Sequence, residues 1–474
     1  MKAKPYSRKK LAGDRSQRTF EGQNLLQIAM PLGGLGARCI CLNGQGGIQD
    51  FSIRNKPATS AAPDHQGQND AAFALLHIKG RNGTTKLIED PMPPEKIYNL
   101  GTKSQGFRGG GHEGLPRFAK SKFKGEYPFG HVRLSDPDVP LDVNITGFNP
   151  FIPLDQVNSG MPCAILEYAF TNRASKSVNY EFSYHLSHLA GFSNTTLNAV
   201  IPGGAHLYNG EPAGSEKFGS GALSVVGHRP AIKAMWFRGG WFDSVSALWR
   251  EVSTGQFKTN KGTDAAKYSG RNGASIMMKG SLKPGESETY PIVLAWHFPN
   301  CHYEAGRPSS DDCCDDHTWK PFYTTQWENA AAVSTYVRTN YASLKSRTQA
   351  FHDALFKSTV PSYVIDAVAS NLAILKSPTL LLQDSGNVWA WEGCFANQGC
   401  CAGTCTHVWN YAQALPHLFP ALERTFRETE LERSMDRRGH ITFRSALPDG
   451  ETRHKSHAAS DGQLGGIMKL YREW

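Results

Sequence analysis

Ala164-Ile-Leu-Glu-Tyr-Ala-Phe-Thr-Asn-Arg-Ala-Ser-Lys-Ser-Val-Asn-Tyr-Glu-Phe-Ser-Tyr-His-Leu186 holds two period-2 runs in succession. Ala164, Leu166, Tyr168 and Phe170 form the first, which stops at the turn signal Thr171-Asn172-Arg173. Val178, Tyr180, Phe182, Tyr184 and Leu186 form the second, alternating with Asn, Glu, Ser and His. Apolar residues at every second position put one side of a strand in a core, whereas a helix repeats near 3.6. The pattern spreads both ways from here. Leu141, Val143 and Ile145 alternate, and Pro284-Gly285 introduces a strand ending in Ile292-Val-Leu-Ala-Trp296. Many short strands broken by Gly, Pro and Asn across residues 25–300 predict a β-sandwich rather than a parallel α/β sheet. One helix is expected inside that region, around Trp241 to Val252.

Beyond Phe298 the pattern changes. Residues 301–325, polar and rich in Asp, Cys and His, read as a linker. Trp327 to Ala342 lacks Gly and Pro, and Ser343 to Phe356 carries Leu344, Phe351, Leu355 and Phe356 near helical spacing. Ile365, Val368, Ala369, Leu372 and Leu375 then fall at i, i+3, i+4, i+7 and i+10. Trp409 to Glu430 reads as a long amphipathic helix that Pro416 and Pro420 kink or break. Gln463 to Trp474 begins another, with no stop signal after it. The fold class is therefore α+β and multidomain. A basic tail over 1–24, expected to be disordered, precedes a sandwich over 25–300, a linker over 301–325 and a helical region over 326–474.

Composition narrows the function. Of 474 residues, 39% are hydrophobic and 11% aromatic, which excludes a wholly disordered chain. No apolar stretch approaches the roughly 20 residues of a membrane-spanning helix. The net charge of +9 is concentrated at one end. Lys2, Lys4, Arg8, Lys9, Lys10, Arg15 and Arg18 face only Asp14 and Glu21 there, so the tail holds more than half of the excess. The body thus lacks the charge of a nucleic-acid binder. The tail has no apolar core of a secretory signal, so the ten cysteines are expected to be mostly reduced thiols in a cytoplasmic protein.

Four groups of residues could carry chemistry. In Trp389-Ala-Trp391-Glu392-Gly393 a carboxylate stands between indoles, which are natural platforms for sugar rings, and Glu392 could act as nucleophile or acid/base. An ordinary core segment with a salt-bridged Glu is the plainer alternative. Cys394, Cys400, Cys401, Cys405 and His407 could bind zinc, but they lack paired C-x2-C knuckles, so packed thiols are expected and no metal is assigned. Gly33-Gly-Leu-Gly36 and Asn43-Gly-Gln-Gly-Gly47 sit among strand residues with no helix following, which argues for tight turns against a dinucleotide site. Lastly, His454, His457 and Asp461 near a helix start could hydrogen-bond a polar ligand, with Asp461 equally able to cap the helix.

Several ordered blocks resemble glycoside hydrolase family 116, the family of non-lysosomal glucosylceramidases and related bacterial β-glucosidases. Ile28-Ala-Met-Pro-Leu-Gly-Gly-Leu-Gly36, Cys41-Leu-Asn-Gly-Gln-Gly-Gly47 and Phe129-Gly-His-Val-Arg-Leu-Ser-Asp-Pro-Asp138 resemble its N-terminal domain. Trp391-Glu-Gly393, Thr406-His-Val-Trp-Asn-Tyr-Ala-Gln-Ala-Leu-Pro416 and Ala459-Ser-Asp-Gly-Gln-Leu-Gly-Gly-Ile-Met468 resemble its catalytic domain. The resemblance implies an N-terminal β-sandwich packed on an (α/α)6 barrel and retaining hydrolysis of a β-linked glucoside, with no cofactor. By position Glu392 resembles the nucleophile, with a second carboxyl group roughly 5 Å away as acid/base. Thr406 or His407 falls near one place where the family contacts sugar hydroxyls and His457 matches a second; Asp461 is counted as substrate-binding with them, and Trp391 and Trp409 are expected as subsite walls.

Three positions depart from the family. Arg38 stands where a small residue is usual, and Thr406 falls about where some members have Asp. The acid/base Asp lies in a block downstream of the nucleophile that this chain does not reach. The expectation is a C-terminally truncated member, its barrel incomplete and the chain inactive alone. A non-catalytic carbohydrate-binding protein derived from the family is the alternative, and a thiolate-metal structural protein a more distant one.

Overall fold

A computed structural model of the protein describes residues 18–54, 70–80, 83–93, 112, 114–191, 195–237, 243–262, 272–302, 318–395, 398–401, 403–446 and 457–474. It is a mixed α+β structure built on two large antiparallel sheets. The nine-stranded sheet runs in the spatial order Thr19–Glu21, Lys120–Glu126, Phe129–Ser135, Leu141–Phe148, Cys163–Asn172, Ser287–His297, Ser220–Val225, Gly204–Asn209 and Thr196–Ile201. The five-stranded sheet runs Ala231–Lys233, Gly273–Leu282, Val178–Ser187, Ala72–Ile78 and Thr85–Leu87. The Gly-rich opening forms a three-stranded sheet of Ala29–Gly33, Cys39–Asn43 and Ile48–Ser52, which is the tight-turn outcome.

The two alternating runs quoted first do not pair with each other; each enters a different sheet. Cys163–Asn172 lies between Leu141–Phe148 and Ser287–His297, while Val178–Ser187 lies between Gly273–Leu282 and Ala72–Ile78. The crossing is fixed by Asn172, whose buried amide donates to the carbonyls of Lys176 and Leu282, both at 2.9 Å, and accepts from the Ala174 amide. The apolar faces then meet. Tyr168 packs on Phe182 with ring centroids 5.0 Å apart, and the hydroxyls of Tyr180 and Tyr290 stand 3.1 Å apart. The opposite face of the larger sheet is covered too, by the 27-residue helix Ala330–Phe356. Val333 and Val337 of that helix lie in one apolar cluster with Ile165, Val293 and Ala295. Lys345 pairs with Glu167 at 2.7 Å, and Ser334 bonds Ser224 at 2.7 Å.

Several expectations change in detail. Residues 18–24, assigned to the tail, are ordered: Thr19–Glu21 is an edge strand, and Arg18 pairs with Glu126 at 3.0 Å. Residues 1–17, with the other basic groups, lie outside the described residues. The helix expected around Trp241 to Val252 is Ser244–Ser253, capped by Asp243, with Trp241 itself outside the described residues. Most of the linker, including Cys313 and Cys314, also lies outside them. Its ends pair as the short ladder Cys301–His302 with Thr318–Trp319. The long helix expected over Trp409 to Glu430 is not formed. A 3-10 turn, Val408–Asn410, is followed by Ala414–Leu418 and then by Pro420–Glu428, which begins at the proline. Pro420 has no amide hydrogen to give, so the preceding helix ends at Leu418, and Phe419 leaves the helical region with φ −140° and ψ 62°. Among the described residues no helix is long and apolar enough to cross a membrane.

Candidate active site

Glu392 follows a hairpin of Leu380–Leu382 and Val388–Ala390. The glycine turn of the N-terminal part locks this hairpin in place. Gly36 has φ +66°, and a Cβ there would stand 2.2 Å from the Leu382 Cβ, so only glycine fits. Arg38, the departure from the family pattern, is buried with φ +69° and donates to the Pro378 carbonyl at 3.3 Å, against the same segment. From the other side the Trp389 indole donates to the Ser445 carbonyl at 3.1 Å, and the Trp391 amide donates to the Thr379 carbonyl at 2.8 Å.

The Glu392 carboxylate is partly exposed and is held in an ion pair by Arg444, whose Nη2 makes the closest contact, to Oε1. Arg444 is anchored in turn. Its Nη1 donates to the Cys401 carbonyl at 3.0 Å, and its guanidinium carbon lies 5.0 Å from the Phe443 ring centroid. The short ladder Thr404–Cys405 with Arg444–Ser445 sets the register, pairing Cys405 with Arg444. The Cys405 thiol is pushed up by burial and further by the adjacent Glu392 carboxylate. Among the described residues, the partners of Glu392 are thus a cation and a thiol rather than a second carboxyl group.

The other predicted residues divide into three sets. His407 and Asp461 come together on the surface, Nδ1 against Oδ2, and this bond holds the Asp461 carboxyl below its usual range. Asp461 therefore pairs with His407 from the first turn of its helix, whose N-cap position is Ala459, and its carboxylate also accepts from backbone amides there. Thr406 is buried and its hydroxyl donates to the Phe443 carbonyl at 3.2 Å, so it is turned to the backbone. His457 is exposed, and its carbonyl accepts from the Phe443 amide at 2.7 Å, while His454 lies outside the described residues.

Trp391 and Trp409, expected as subsite walls, are core residues in this structure. Trp391 is 5% exposed and meets Trp389 edge-on at 5.5 Å in a small cluster with Cys301, Trp319 and Leu381. Trp409 is 3% exposed and packs on Phe426 at 5.5 Å. Bulky indoles next to short strands are drawn into the core by the area they bury.

The side chains of Cys394 and Cys400 lie outside the described residues. Among those described, no three His, Cys, Asp or Glu side chains gather closely enough to share a metal ion. Arg444 was missed in the sequence reading. The one available signal is Ile441-Thr-Phe-Arg-Ser445, a period-2 run with a cation on its polar side.

Comparison with known proteins gives first a class, glycoside-active proteins. The family model described as "beta-glucosidase 2, glycosyl-hydrolase family 116 N-term" matches residues 29–344, more than half of the chain. The chain belongs to glycosyl-hydrolase family 116, through this N-terminal domain. Glu392 lies beyond the matched residues. No curated protein matched the chain. Among solved structures, a protein described as a kojibiose phosphorylase from human microbiome is similar at 9% identity and a TM-score of 0.40, over 96% of this chain and 49% of that one. A protein described as an aldose 1-epimerase, from Escherichia coli K12, aligns over 59% of this chain and 99% of its own at 10% identity and a TM-score of 0.29. The chain thus spans about half the length of the phosphorylase structure.

Proposed function

We propose that the chain is part of a retaining β-glucosidase of the glucosylceramidase-like kind, with Glu392 as its nucleophile. The observation that carries this reading is the placement of one partly exposed carboxylate, Glu392, against a fixed guanidinium in a chain of a glycoside hydrolase family. In the proposed reaction a Glu392 oxygen attacks the anomeric carbon while a second carboxyl group protonates the departing oxygen. That same group then activates water to release the sugar. His407, Asp461 and His457 are proposed to face the sugar hydroxyls from the exposed side. We read the two face-packed sheets as a β-sandwich and the helices from residue 326 as the first part of an (α/α)6 barrel. The acid/base is proposed to lie outside residues 1–474, so that this polypeptide alone leaves unactivated glucosides intact. General acid help is commonly worth 10²–10⁴-fold. We place the same protein in the cytoplasm, where thiols such as Cys39, Cys41, Cys163 and Cys405 stay reduced.

An activated reagent separates the nucleophile from the acid. With 2,4-dinitrophenyl 2-deoxy-2-fluoro-β-glucoside the leaving group needs no proton, so the chain is expected to gain one fluoroglucosyl adduct, mapped to Glu392 and absent in Glu392→Gln. No adduct, or an adduct on another residue, overturns the assignment. Calorimetry with unactivated glucosides distinguishes the alternative, a non-catalytic carbohydrate-binding protein, which binds them but acquires no adduct.

A further inference from the structure

We propose that Arg444 is a positioning residue for Glu392: it fixes the direction of the carboxylate, and the speed of glycosyl transfer to that carboxylate depends on it. This deepens the function proposed above and rests on it. Glu392 stands between the strands Val388–Ala390 and Gly393–Phe395, which fix its backbone but not its three side-chain torsions. A free glutamate side chain in such a place samples several rotamers, few of which aim an oxygen at a ring carbon.

Arg444, by contrast, is held at three points, one on its backbone and two on its guanidinium. The ladder pairs Arg444 with Cys405, Nη1 is tied to the Cys401 carbonyl at 3.0 Å, and its carbon lies over the Phe443 ring at 5.0 Å. A planar fork restrained in this way transmits its orientation to a carboxylate, as a flexible ammonium does not. The pair contributes little to stability, because both side chains are partly exposed, 16% for Arg444 and 24% for Glu392. A pair that adds little to folding, yet is built from a strand register, a carbonyl and an aromatic face, fits a role in orientation.

The test follows covalent labelling of chain 1–474 by the same fluoroglucoside. A Glu392 oxygen forms the bond to the anomeric carbon, the bond from that carbon to the aryl oxygen breaks, and its electron pair departs as dinitrophenolate. No proton donor is required. Intact mass against time, over a range of reagent concentrations, separates the maximal labelling rate from the reagent affinity. Arg444→Met is expected to lower the maximal rate by roughly ten- to a hundred-fold, with affinity nearly unchanged. Arg444→Lys should recover part of the rate, and free guanidinium ion should speed labelling of Arg444→Gly. A purely structural Arg444 would reduce the fraction of protein labelled, in step with lost circular dichroism, and leave the rate of the folded fraction unchanged. That result overturns the proposal, as does a wild-type rate in Arg444→Met. Wild-type protein that takes no label at Glu392 overturns the nucleophile assignment and this inference together. Normal labelling of both wild type and Arg444→Met overturns this inference alone.

Discussion

Lys376 is a buried amine with no carboxylate partner among the described residues. Its Nζ donates to the carbonyls of Pro150 and Ser159, at 2.8 and 2.7 Å, and to the side-chain oxygen of Asn149. Burial pushes its pKa well below the usual lysine value. Two effects compete in Lys376→Met. The variant relieves the desolvation of a cation, but it strands three buried acceptors, each costing about 1–3 kcal/mol. The second effect wins, and a loss of roughly 3 kcal/mol is expected in urea unfolding. Lys376 was no part of the sequence reading, since a lysine near the end of an amphipathic run looks like solvated surface. Glu392 could be singled out because its neighbours Trp389 and Trp391 are rare residues in adjacent sequence. Arg444 could not, because what joins it to Glu392 is the pairing of two short strands far apart along the chain.

The strands Leu141–Phe148, Cys163–Asn172 and Val178–Ser187 were legible for a physical reason: one face of each must meet the other sheet, so the apolar period survives in them, whereas the ten-residue Gly273–Leu282 was not read. The partner of each strand was not legible, because Asn172 chooses between a hairpin and a change of sheet through bonds to residues as distant as Leu282. The break within Trp409 to Glu430 was half legible. Both prolines were visible, but only Pro420 opens a new helix, while Pro416 lies in the first turn of Ala414–Leu418, where its missing amide hydrogen costs nothing.

Two predictions belong to these segments. Gly36→Ala should lower stability by more than about 1 kcal/mol, since it combines a positive φ with a clash against Leu382. Limited proteolysis should then cut first near the hairpin that carries Glu392. Asn329 accepts from the Ala332 amide at 2.9 Å at the start of Ala330–Phe356, and Asn329→Ala should cost about 1 kcal/mol in thermal or urea unfolding. Asn329→Asp should retain the cap.

For the molecule as a whole, the placing of ionisable groups in its cores sets how stability responds to pH. The C-terminal helix Ser460–Glu473 turns Lys469, Arg472 and Glu473 toward Glu423, Arg427 and Glu430, and leaves Leu464, Ile467, Met468 and Tyr471 exposed. Within that cluster burial pushes the Glu423 carboxyl up to about 7, against the pull of Arg427, Lys469 and Arg472. In the sheets, burial lowers His185 to about 3 and His206 and His297 to about 4. The imidazole of His185 is bracketed by the hydroxyls of Ser183 and Ser275, and that of His297 bonds the Trp327 carbonyl at 2.8 Å.

The signs oppose. Below 6.5 the unfolded chain takes up protons that the buried imidazoles refuse, so their stabilisation is lost as pH falls from 6.5 toward the folded values. Glu423 is raised instead, so the folded chain holds a proton there between 4.5 and 7, and its contribution grows as pH falls through that window. At about pH 5 His185, His206 and His297 each cost about 2 kcal/mol relative to neutral pH, and Glu423 offsets about 2 of the roughly 6 lost. Urea midpoints should therefore fall in the wild type between neutral pH and about pH 5. They should fall about half as far again in Glu423→Gln, and much less in a His185→Gln/His297→Gln double variant that folds. Equal pH slopes in wild type and Glu423→Gln would show that Glu423 is ionised in the folded chain, and would remove the offset.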